Sequence, residues 1–461
     1  MPSDAELVAE LDSMSNMLAK RATESRLLDT YYEGTAQPPK AIQIAGVTRA
    51  YQALMPVSDA PWGSLVVDSV QDRLEVAGIR SADSSVDDVV WGHWQDNGMD
   101  AESKLAQNAS LISGRSFALV WPDADGKPQI TLDNSEQMIV KYAAGSRRVR
   151  LAAYREWEED GVRYGTLYRP DGVYKFKESK SPNSEGKGER AEWVRREVDG
   201  EEWPLANPLN IVPVVELTVN RRLKPGSYGF ARGEFAHCLG LIDRINLLTF
   251  LGLVVAFWMG FPLRGVIGEK ILKDDNGNAI APFDANAGGL AMLENKDASI
   301  FEYKAADRKN LSIYSELDQL ATITKTPRHY LPMESGMSNL SADAIRASEG
   351  GLHAKVPSHK ASLGEGWEEV LRLCGLMDDT PVELSPRAEL LWKDHESRSV
   401  AERADAATKV ASLNIPWEII AEKYLSWTQD EIARGQAQVA AGAFETLITE
   451  ANQPAPELEV V

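Results

Sequence analysis

The side chains that most often bind metal ions or transfer protons are few in this sequence and lie far apart. The two cysteines, Cys238 and Cys374, form no CxxC pair, so neither a disulfide framework nor a zinc site is predicted. The histidines are His93, His237, His329, His353, His359 and His395. The closest two, His353 and His359, have Pro357 between them. We therefore predict no metal site.

The common enzyme motifs are missing from the sequence. It contains no GxxxxGK[ST] loop, no GxGxxG after a strand, no HExxH and no GxSxG. Neighbouring carboxylates occur at 87–88, 156–160 and 378–379, but such runs usually lie on solvated surfaces or in turns. The sequence thus predicts no catalytic residue and no cofactor. A nucleic-acid-processing enzyme with an unrecognised motif remains an alternative.

The composition is that of an acidic globular protein. The chain has 461 residues, 49 Lys and Arg, 69 Asp and Glu, and a formal net charge of -20 at pH 7. This charge argues against a protein that wraps a basic surface around nucleic acid, because that mode needs clustered cations. The 43% hydrophobic content argues against a disordered chain. The acidic N-terminus lacks the apolar region of a secretory signal, so we expect the protein in the cytosol.

The first third of the chain is predicted to be helical. From Ser3 to Gly34, apolar residues recur at helical spacing, which predicts one long amphipathic helix. Three shorter helices are predicted at 62–74, 85–97 and 101–113, with Gly98 and Gly114 as C-caps. Four of the tryptophans are assigned to helical segments and to core packing rather than base stacking. They are Trp91, Trp94, Trp367 and Trp392.

Residues 115–220 are predicted to form a β-rich unit. Apolar and polar residues alternate there, and three Asp-Gly steps separate the alternating runs, at DADG, EEDG and RPDG. An Asp-Gly step between such runs is a strong hairpin signal. The polar segment 178–190 is interpreted as an exposed hairpin tip.

The middle of the chain contains a long apolar run. Nineteen uncharged residues lie between Arg244 and Arg264, which approaches the length of a membrane span. Gly252, Gly260 and Pro262 interrupt the run, so we favour a helix buried between subunits. The alternative is a membrane-anchored protein held by residues 245–263.

Helices are predicted on both sides of a compact, mostly β insertion. The first helix is predicted at 231–259 and the second at 307–326, with the insertion at 261–306 between them. A loop rich in Pro, Gly and Ser follows, and then a long helix from Ser341 to Leu376. Gly350, Gly351 and Pro357 predict that this helix is kinked or interrupted. The C-terminal segment 397–452 is predicted to be helical and broken at Pro416.

This order of segments resembles the portal proteins of tailed bacteriophages, in particular those of long-tailed phages of actinobacteria. Several local motifs carry the resemblance over nearly the whole chain. They are YYEG at 31–34, VVDSVQDRLEVAGIR at 66–80, the helix-turn-strand stretch at 106–130, GLIDRINLL at 240–248, NLSADAIRASEGGLHAKV at 339–356 and the Ala-rich segment at 402–432.

The resemblance implies an α+β, mainly helical fold with wing, stem, clip and crown regions. It assigns the segments as follows: wing 1–228, first stem helix 229–260, clip 261–306, second stem helix 307–326, tunnel loop 327–340, long kinked helix and wing return 341–396, crown 397–461. The tunnel-loop residues expected to contact DNA are Arg328, His329, Tyr330, Met333, Met337, Ser338 and Asn339. The residues expected to pack the stem in the oligomer are Ile245, Leu248, Leu251, Val255, Leu317 and Leu320.

The same resemblance implies a homo-dodecameric ring at one capsid vertex, the portal vertex of the virion, with assembly in the host cytoplasm. The implied partners are double-stranded DNA in transit, the large terminase subunit, the head-tail adaptor, and the major capsid and scaffold proteins. The clip, around residues 269–297, is expected to be the docking platform. An acidic channel wall would weaken contacts with phosphates and let DNA slide.

Overall fold

The computed structural model combines helices with antiparallel sheets, which confirms the α+β class. The residues it describes are 2–36, 55–146, 148–179, 192–224, 227–260, 263–267, 272–273, 275, 279–280, 297, 299–303, 312–332, 342–396, 400–413, 415–425, 427 and 431–439.

The described residues contain ten α-helices, followed at the C-terminus by a short π-helix, Ala421–Leu425, and a helical segment at 431–439. The α-helices are α1 Asp4–Glu33, α2 Met55–Ser58, α3 Trp62–Gln71, α4 Ser84–Asp96, α5 Met99–Ser113, α6 Leu239–Gly260, α7 Tyr314–Thr324, α8 Ala342–Met377, α9 Val400–Ala411 and α10 Trp417–Ile420.

The strands pair in antiparallel fashion in six small sheets. The larger two have the orders β4-β5-β6-β7-β8 and β3-β2-β9, and the two-stranded sheets are β1-β16, β10-β11, β12-β15 and β13-β14. The strands are β1 Val76–Arg80, β2 Arg115–Pro122, β3 Pro128–Asn134, β4 Met138–Tyr142, β5 Arg150–Glu159, β6 Val162–Arg169, β7 Gly172–Ser179, β8 Glu192–Arg195, β9 Val214–Thr218, β10 Arg222–Lys224, β11 Ser227–Phe230, β12 Leu263–Ile267, β13 Leu272–Lys273, β14 Ala279–Ile280, β15 Ser299–Tyr303 and β16 Glu389–Trp392.

Helix α1 has the limits that its sequence predicts. Ser3 and Glu6 form a capping box at its start, and Gly34 ends it in the left-handed region at φ 69°. The predicted apolar positions are buried, and the first four pack on the five-stranded sheet. Those four are Leu7, Leu11, Met14 and Leu18. The stripe of apolar residues on α1 is therefore buried within one chain, and most of the other residues of the helix are exposed or partly exposed.

The three hairpins predicted from Asp-Gly steps are present. They connect β2 to β3, β5 to β6 and β6 to β7. In the second, Asp160 and Gly161 have φ values of 51° and 72°, as a two-residue turn between twisted strands requires. Strands β7 and β8 also pair, as a hairpin requires. Most of the predicted hairpin tip at 178–190 lies outside the described residues.

The main core lies where the helices meet β2 and β9. It joins α3, α4, α5, α7, α8 and the first half of α6. Trp94 and Trp367 are fully buried there, and Trp94 stacks on Trp91 with 5.6 Å between ring centroids. This confirms the packing role of these three tryptophans. Trp392 packs against the same core but lies in strand β16, so its assignment to a helix is wrong.

The predicted start of α6 is wrong because of a tertiary contact. Helix α6 begins at Leu239, not at 231, because the preceding segment binds α5: the Glu234 N–H donates to the Leu111 carbonyl over 2.8 Å. A side chain at Gly233 would place its Cβ 1.8 Å from the Ile112 carbonyl oxygen. Helix α7 begins at Tyr314, and the predicted start at 307 lies outside the described residues. Gly98 precedes α5 as its N-cap, and Asn97 is the C-cap of α4.

Helix α8 runs without interruption through the positions expected to break it. It extends over 36 residues, Ala342–Met377, with Pro357 inside. Pro357 and Gly350 are exposed, whereas Leu352, Val356 and Leu363 are fully buried on the other face. The core contacts on that face stabilise the helix against the lost backbone hydrogen bond. Of the two predicted alternatives the interruption is therefore wrong, and the kink stays a prediction.

Candidate functional site

The loop expected to contact DNA begins at the end of α7. Lys325 ends that helix in the left-handed region at φ 58°, and Arg328–Tyr330 then form one turn of 3-10 helix. The Thr326 N–H donates to the Ala321 carbonyl over 3.0 Å, which fixes the exit of the chain. Four predicted loop residues, Met333, Met337, Ser338 and Asn339, lie outside the described residues.

The three described loop residues differ in where their side chains lie. Arg328 is exposed, with 60% of its side-chain surface accessible, and its Nε is 3.8 Å from Asp318 Oδ1 on α7. His329 and Tyr330 instead turn towards α8, where His329 Nδ1 lies 2.9 Å from Ser348 Oγ. Of these three, Arg328 is the side chain placed to reach a ligand in solvent.

Glu349 on α8 is the centre of the cluster that receives this loop. The Tyr330 hydroxyl donates to Glu349 over 3.4 Å and accepts a 2.9 Å hydrogen bond from Arg73. Arg73 Nη2 also lies 3.6 Å from Glu349 Oε1, and His329 Nε2 lies 3.5 Å from the same oxygen. On the same helix, His353 Nε2 is 3.2 Å from the second carboxylate oxygen. One carboxylate thus connects the loop, the C-terminal end of α3 and α8.

The surroundings of Glu349 favour its ionised form. Partial burial of the carboxyl opposes ionisation, but the hydrogen bond from His353 and the charges of Arg73, His353 and His329 outweigh it, so the pKa of Glu349 is lowered. The negative charge of Glu349 in turn attracts the His329 ring and the Tyr330 hydroxyl of the loop. The loop base is therefore held by electrostatics as well as by packing.

A second carboxylate, Glu234, lies in a buried junction just before α6. Lys355 Nζ donates to Glu234 over 2.7 Å and to the Thr324 carbonyl over 2.8 Å. His359 Nε2 lies 2.9 Å from Glu234, and Asn220 Nδ2 donates to the same carboxylate over 2.5 Å. This junction joins the start of α6, the end of α7 and the middle of α8.

Burial makes this junction more costly to disturb than the loop cluster. The Glu234 side chain is 3% exposed, and that of His359 is 2% exposed. Burial opposes ionisation of Glu234, but His359 and Lys355 outweigh it and hold the pKa of the carboxyl well below its usual value. Removing one partner would leave an uncompensated buried charge.

The apolar residues of α6 and α7 fall into two groups. Ile245, Leu317 and Leu320 are buried within the chain, where α6 packs on α7. Leu248 and Val255 are partly exposed and Leu251 is 38% exposed. The first group belongs to the core of the single chain, whereas the second keeps accessible surface there.

By length and composition, one helix among the described residues could cross a membrane. It is the Leu239–Ala256 part of α6, and only 28% of that window is buried inside the chain. Most residues of this window are half-buried, and Leu251 is its exposed large apolar residue, so part of the apolar surface stays accessible in the single chain.

The two thiols are poorly suited to nucleophilic chemistry. Cys238 and Cys374 are both free and buried. Burial raises the pKa of the Cys238 thiol to about 11 and that of the Cys374 thiol to about 12. Both therefore stay protonated near neutral pH and pack as small apolar groups.

The sequence analysis missed Arg73, Glu234, Glu349, Lys355 and His359. Their only sequence signal is local: Glu349 with His353, and Lys355 with His359, are four residues apart and share a face of α8. Arg73 and Glu234 come from segments far away in the chain. Nothing in the order of residues shows that they meet α8.

Comparison with known sequences gives one consistent result. A sequence model of the family described as "Phage portal protein, SPP1 Gp6-like" matches residues 19–441. The chain is 28% identical over 426 residues to the portal protein of Mycobacterium phage D29, a match that covers 87% of this chain and 81% of that protein. It is also 28% identical over 411 residues to the portal protein of Mycobacterium phage L5, covering 84% and 79%.

Solved structures give more distant matches. A chain from the neck of an empty gene transfer agent (GTA) particle, computed with C6 symmetry, has a TM-score of 0.43 and 13% identity. That match covers 81% of this chain and 94% of the other. A chain from the virion of the native particle has a TM-score of 0.45 and 12% identity, with 81% and 92% covered.

Proposed function

Because the chain belongs to the SPP1 Gp6-like family of phage portal proteins, we propose that it forms a ring-shaped channel at one vertex of a phage capsid. DNA enters the capsid through this channel during packaging and leaves through it during ejection. The observation that carries the proposal is the family match over residues 19–441. Its location is the portal vertex of the virion, with assembly in the host cytoplasm.

In this proposal the uncovered part of α6 packs against neighbouring copies in a ring of twelve subunits. The helix is about 33 Å long, and its first half is fixed on α7 by buried residues such as Ile245. Leu248, Leu251 and Val255 lie farther along and keep accessible surface. Burial of that surface between subunits would favour the ring by the hydrophobic effect.

The membrane-anchored alternative explains the same apolar helix less well. Matched relatives over most of the chain are portal proteins of phages. A ring buries α6 against protein, so the run needs no lipid. Detergent-free solubility of the purified protein after high-speed centrifugation supports the ring, and strict partition into membranes would contradict it.

The tunnel loop is proposed to contact the DNA as it slides. Arg328 is exposed at the base of the loop and can approach a phosphate, whereas His329 and Tyr330 hold that base on α8 through Glu349. The loop residues Met333, Met337, Ser338 and Asn339 are proposed to continue the contact. One cation per subunit beside Asp318 would bind DNA weakly, and the net charge of -20 per chain also disfavours tight phosphate binding.

The remaining regions receive proposed partners. The segment between α6 and α7, with the antiparallel pairs β12-β15 and β13-β14, is the proposed clip that docks the large terminase subunit and the head-tail adaptor. The N-terminal helices and larger sheets are the proposed wing, which faces the major capsid and scaffold proteins. The C-terminal helices α9 and α10 belong to the proposed crown.

Direct imaging tests the ring. Mass photometry and negative-stain microscopy of the full chain are expected to show closed rings with a central hole. A protein that stays strictly monomeric at micromolar concentration, and also in the presence of scaffold protein, would contradict the proposal.

A structural role also predicts no turnover. The protein incubated with magnesium and ATP, or with DNA, is expected to hydrolyse neither. ATP hydrolysis that co-purifies with the ring through size exclusion and persists after removal of terminase would instead favour the enzyme alternative.

A further inference from the structure

Two histidines and a glutamate from distant parts of the chain meet beside the Glu349 cluster. His353 lies on α8, and His395 and Glu396 follow strand β16. One possible ligand atom from each of the three residues lies within 4.8 Å of those from the other two. The two imidazole rings have centroids 5.6 Å apart, at an interplanar angle of 45°.

The hydrogen bonding of His353 leaves its second ring nitrogen available. His353 Nε2 is 3.2 Å from Glu349 Oε2. When Nε2 carries the proton that this contact needs, Nδ1 carries a lone pair. Nδ1 is buried and has no hydrogen-bond partner among the residues that the structure describes. A metal-binding histidine usually donates the N–H of one ring nitrogen to a carboxylate and binds the metal through the other. The contact with Glu349 gives His353 this arrangement.

The segment after β16, which carries His395 and Glu396, is attached to α8 close to His353. The Lys393 N–H donates to the Glu75 carbonyl over 2.9 Å, and the Lys393 carbonyl accepts a 2.6 Å hydrogen bond from Lys360 Nζ on α8. His395 is two residues beyond this anchor. Its position therefore follows from the pairing of β16 with β1 and from its attachment to α8.

We propose that His353, His395 and Glu396 bind a zinc ion. Imidazole nitrogens and a carboxylate oxygen suit zinc, whereas calcium and magnesium prefer oxygen ligands alone. Two ligands of a tetrahedral zinc ion are about 3.4 Å apart. The possible ligand atoms lie within 4.8 Å of one another. Side-chain rotations therefore need to shorten each distance between them by about 1.4 Å or less to complete the site. Water would take the fourth position.

Zinc at this place would join α8 to the segment that leads into α9. It would also connect this segment to the loop base, because Glu349 contacts both His353 and Tyr330. The proposal does not depend on ring formation or on passage of DNA.

The test uses the full chain without a polyhistidine tag, treated with EDTA and dialysed. Zinc chloride is titrated by calorimetry, cobalt chloride is followed by its visible absorption, and calcium chloride is titrated in parallel. We expect one zinc ion to bind per chain. We also expect the visible absorption of bound cobalt to be that of an ion with few ligands, as in a tetrahedral site. No zinc binding, or calcium binding in preference to zinc, would overturn the proposal.

Variants locate the bound ion. His395→Gln is expected to abolish the stoichiometric site, and Glu349→Gln to weaken zinc affinity about 10- to 100-fold by removing the carboxylate behind His353. The matched control is His93→Gln, since His93 also faces a carboxylate, Asp378, at 3.0 Å. It is expected to bind zinc as the unmodified chain does.

Unchanged zinc binding in His395→Gln would overturn the proposal, as would an equal loss in His93→Gln. Circular dichroism checks the fold of each variant. If His395→Gln does not fold, Glu396→Gln is measured in its place, because it replaces a surface carboxylate by its isosteric amide. Loss of the stoichiometric zinc site in this variant supports the proposal, and unchanged zinc binding would overturn it.

Discussion

Helices α1 and α6 are both long, yet they bury their apolar residues in different ways. Helix α1 presents one apolar stripe to the five-stranded sheet and polar residues to solvent. Helix α6 is apolar over most of its length, and most residues of its most apolar window, Leu239–Ala256, are only half-buried within the chain. Helix α1 therefore buries its stripe of apolar residues within a single chain, whereas α6 keeps accessible apolar surface that neighbouring copies are proposed to cover.

The largest expected effect is at the exposed side of α6. Leu251→Glu places a charge where neighbouring copies are proposed to pack, so rings are expected to be lost while the helical content of the chain is unchanged. Mass photometry and circular dichroism measure the two properties.

Leu27→Glu is the matched control for this substitution. Leu27 lies on α1 and is 49% exposed, against 38% for Leu251. The control is expected to form normal rings. Normal rings from Leu251→Glu, or loss of rings from both variants, would remove the distinction between the two helices.

The second effect concerns the attachment of α6. Glu234→Ala leaves Lys355 and His359 in a buried site without their carboxylate, so the free energy of unfolding is expected to fall by about 3–5 kcal/mol. Urea unfolding of the chain measures the loss. The control is Glu136→Ala, since the Glu136 partner Arg26 is 69% exposed and the pair contributes at most about 1 kcal/mol. Equal losses in the two variants would show that burial is not the cause.

The third effect concerns the packing of α1 on the five-stranded sheet. Leu11 is fully buried against the sheet, so Leu11→Ala is expected to lower the free energy of unfolding by about 2–5 kcal/mol through lost burial and a cavity. Met17, on the same helix but 47% exposed, is the control, and Met17→Ala is expected to change stability by about 0.5 kcal/mol or less. A similar loss in both would mean that α1 is not held by this stripe.

The smallest effect is a pH dependence at the loop base. The folded chain lowers the pKa of Glu349, so its stabilising contribution is present above the ordinary carboxyl value of 4.5 and is lost as the pH falls through the lowered value. The thermal midpoint of the unmodified chain should therefore fall more steeply than that of Glu349→Gln as the pH is lowered below 4.5. Parallel curves would show that Glu349 does not contribute. The other carboxylates titrate in both proteins and cancel in this difference.

The elements that the sequence predicted well are those set by neighbouring residues. Ser3 and Gly34 mark the ends of α1, and Asp160 with Gly161 marks a hairpin, because caps and turns depend on the local backbone. The start of α6 was predicted wrongly, and α8 is not interrupted at Pro357. Both outcomes depend on tertiary contacts, those of Gly233 with α5 and those of the buried face opposite Pro357, which local patterns do not contain.

The candidate site shows the same division. The resemblance to portal proteins implied one DNA-contacting loop that includes Arg328, His329 and Tyr330. In the structure Arg328 is an exposed cation, whereas the other two are held by Glu349. Glu349 itself carries no sequence signal beyond its spacing from His353.

The acidic charge, the amphipathic α1, the hairpins, the apolar α6 and the resemblance to portal proteins all follow from the amino-acid sequence. Each depends on composition or on residues close together in the chain. The three-dimensional fold is needed to know which charges are buried and which apolar residues of α6 keep accessible surface. It is also needed to know that Glu234, Glu349 and the pair His353 and His395 each join segments that are distant in the chain. The physical reason is that ion pairs and burial depend on distances in space, and segments far apart in the chain supply the partners.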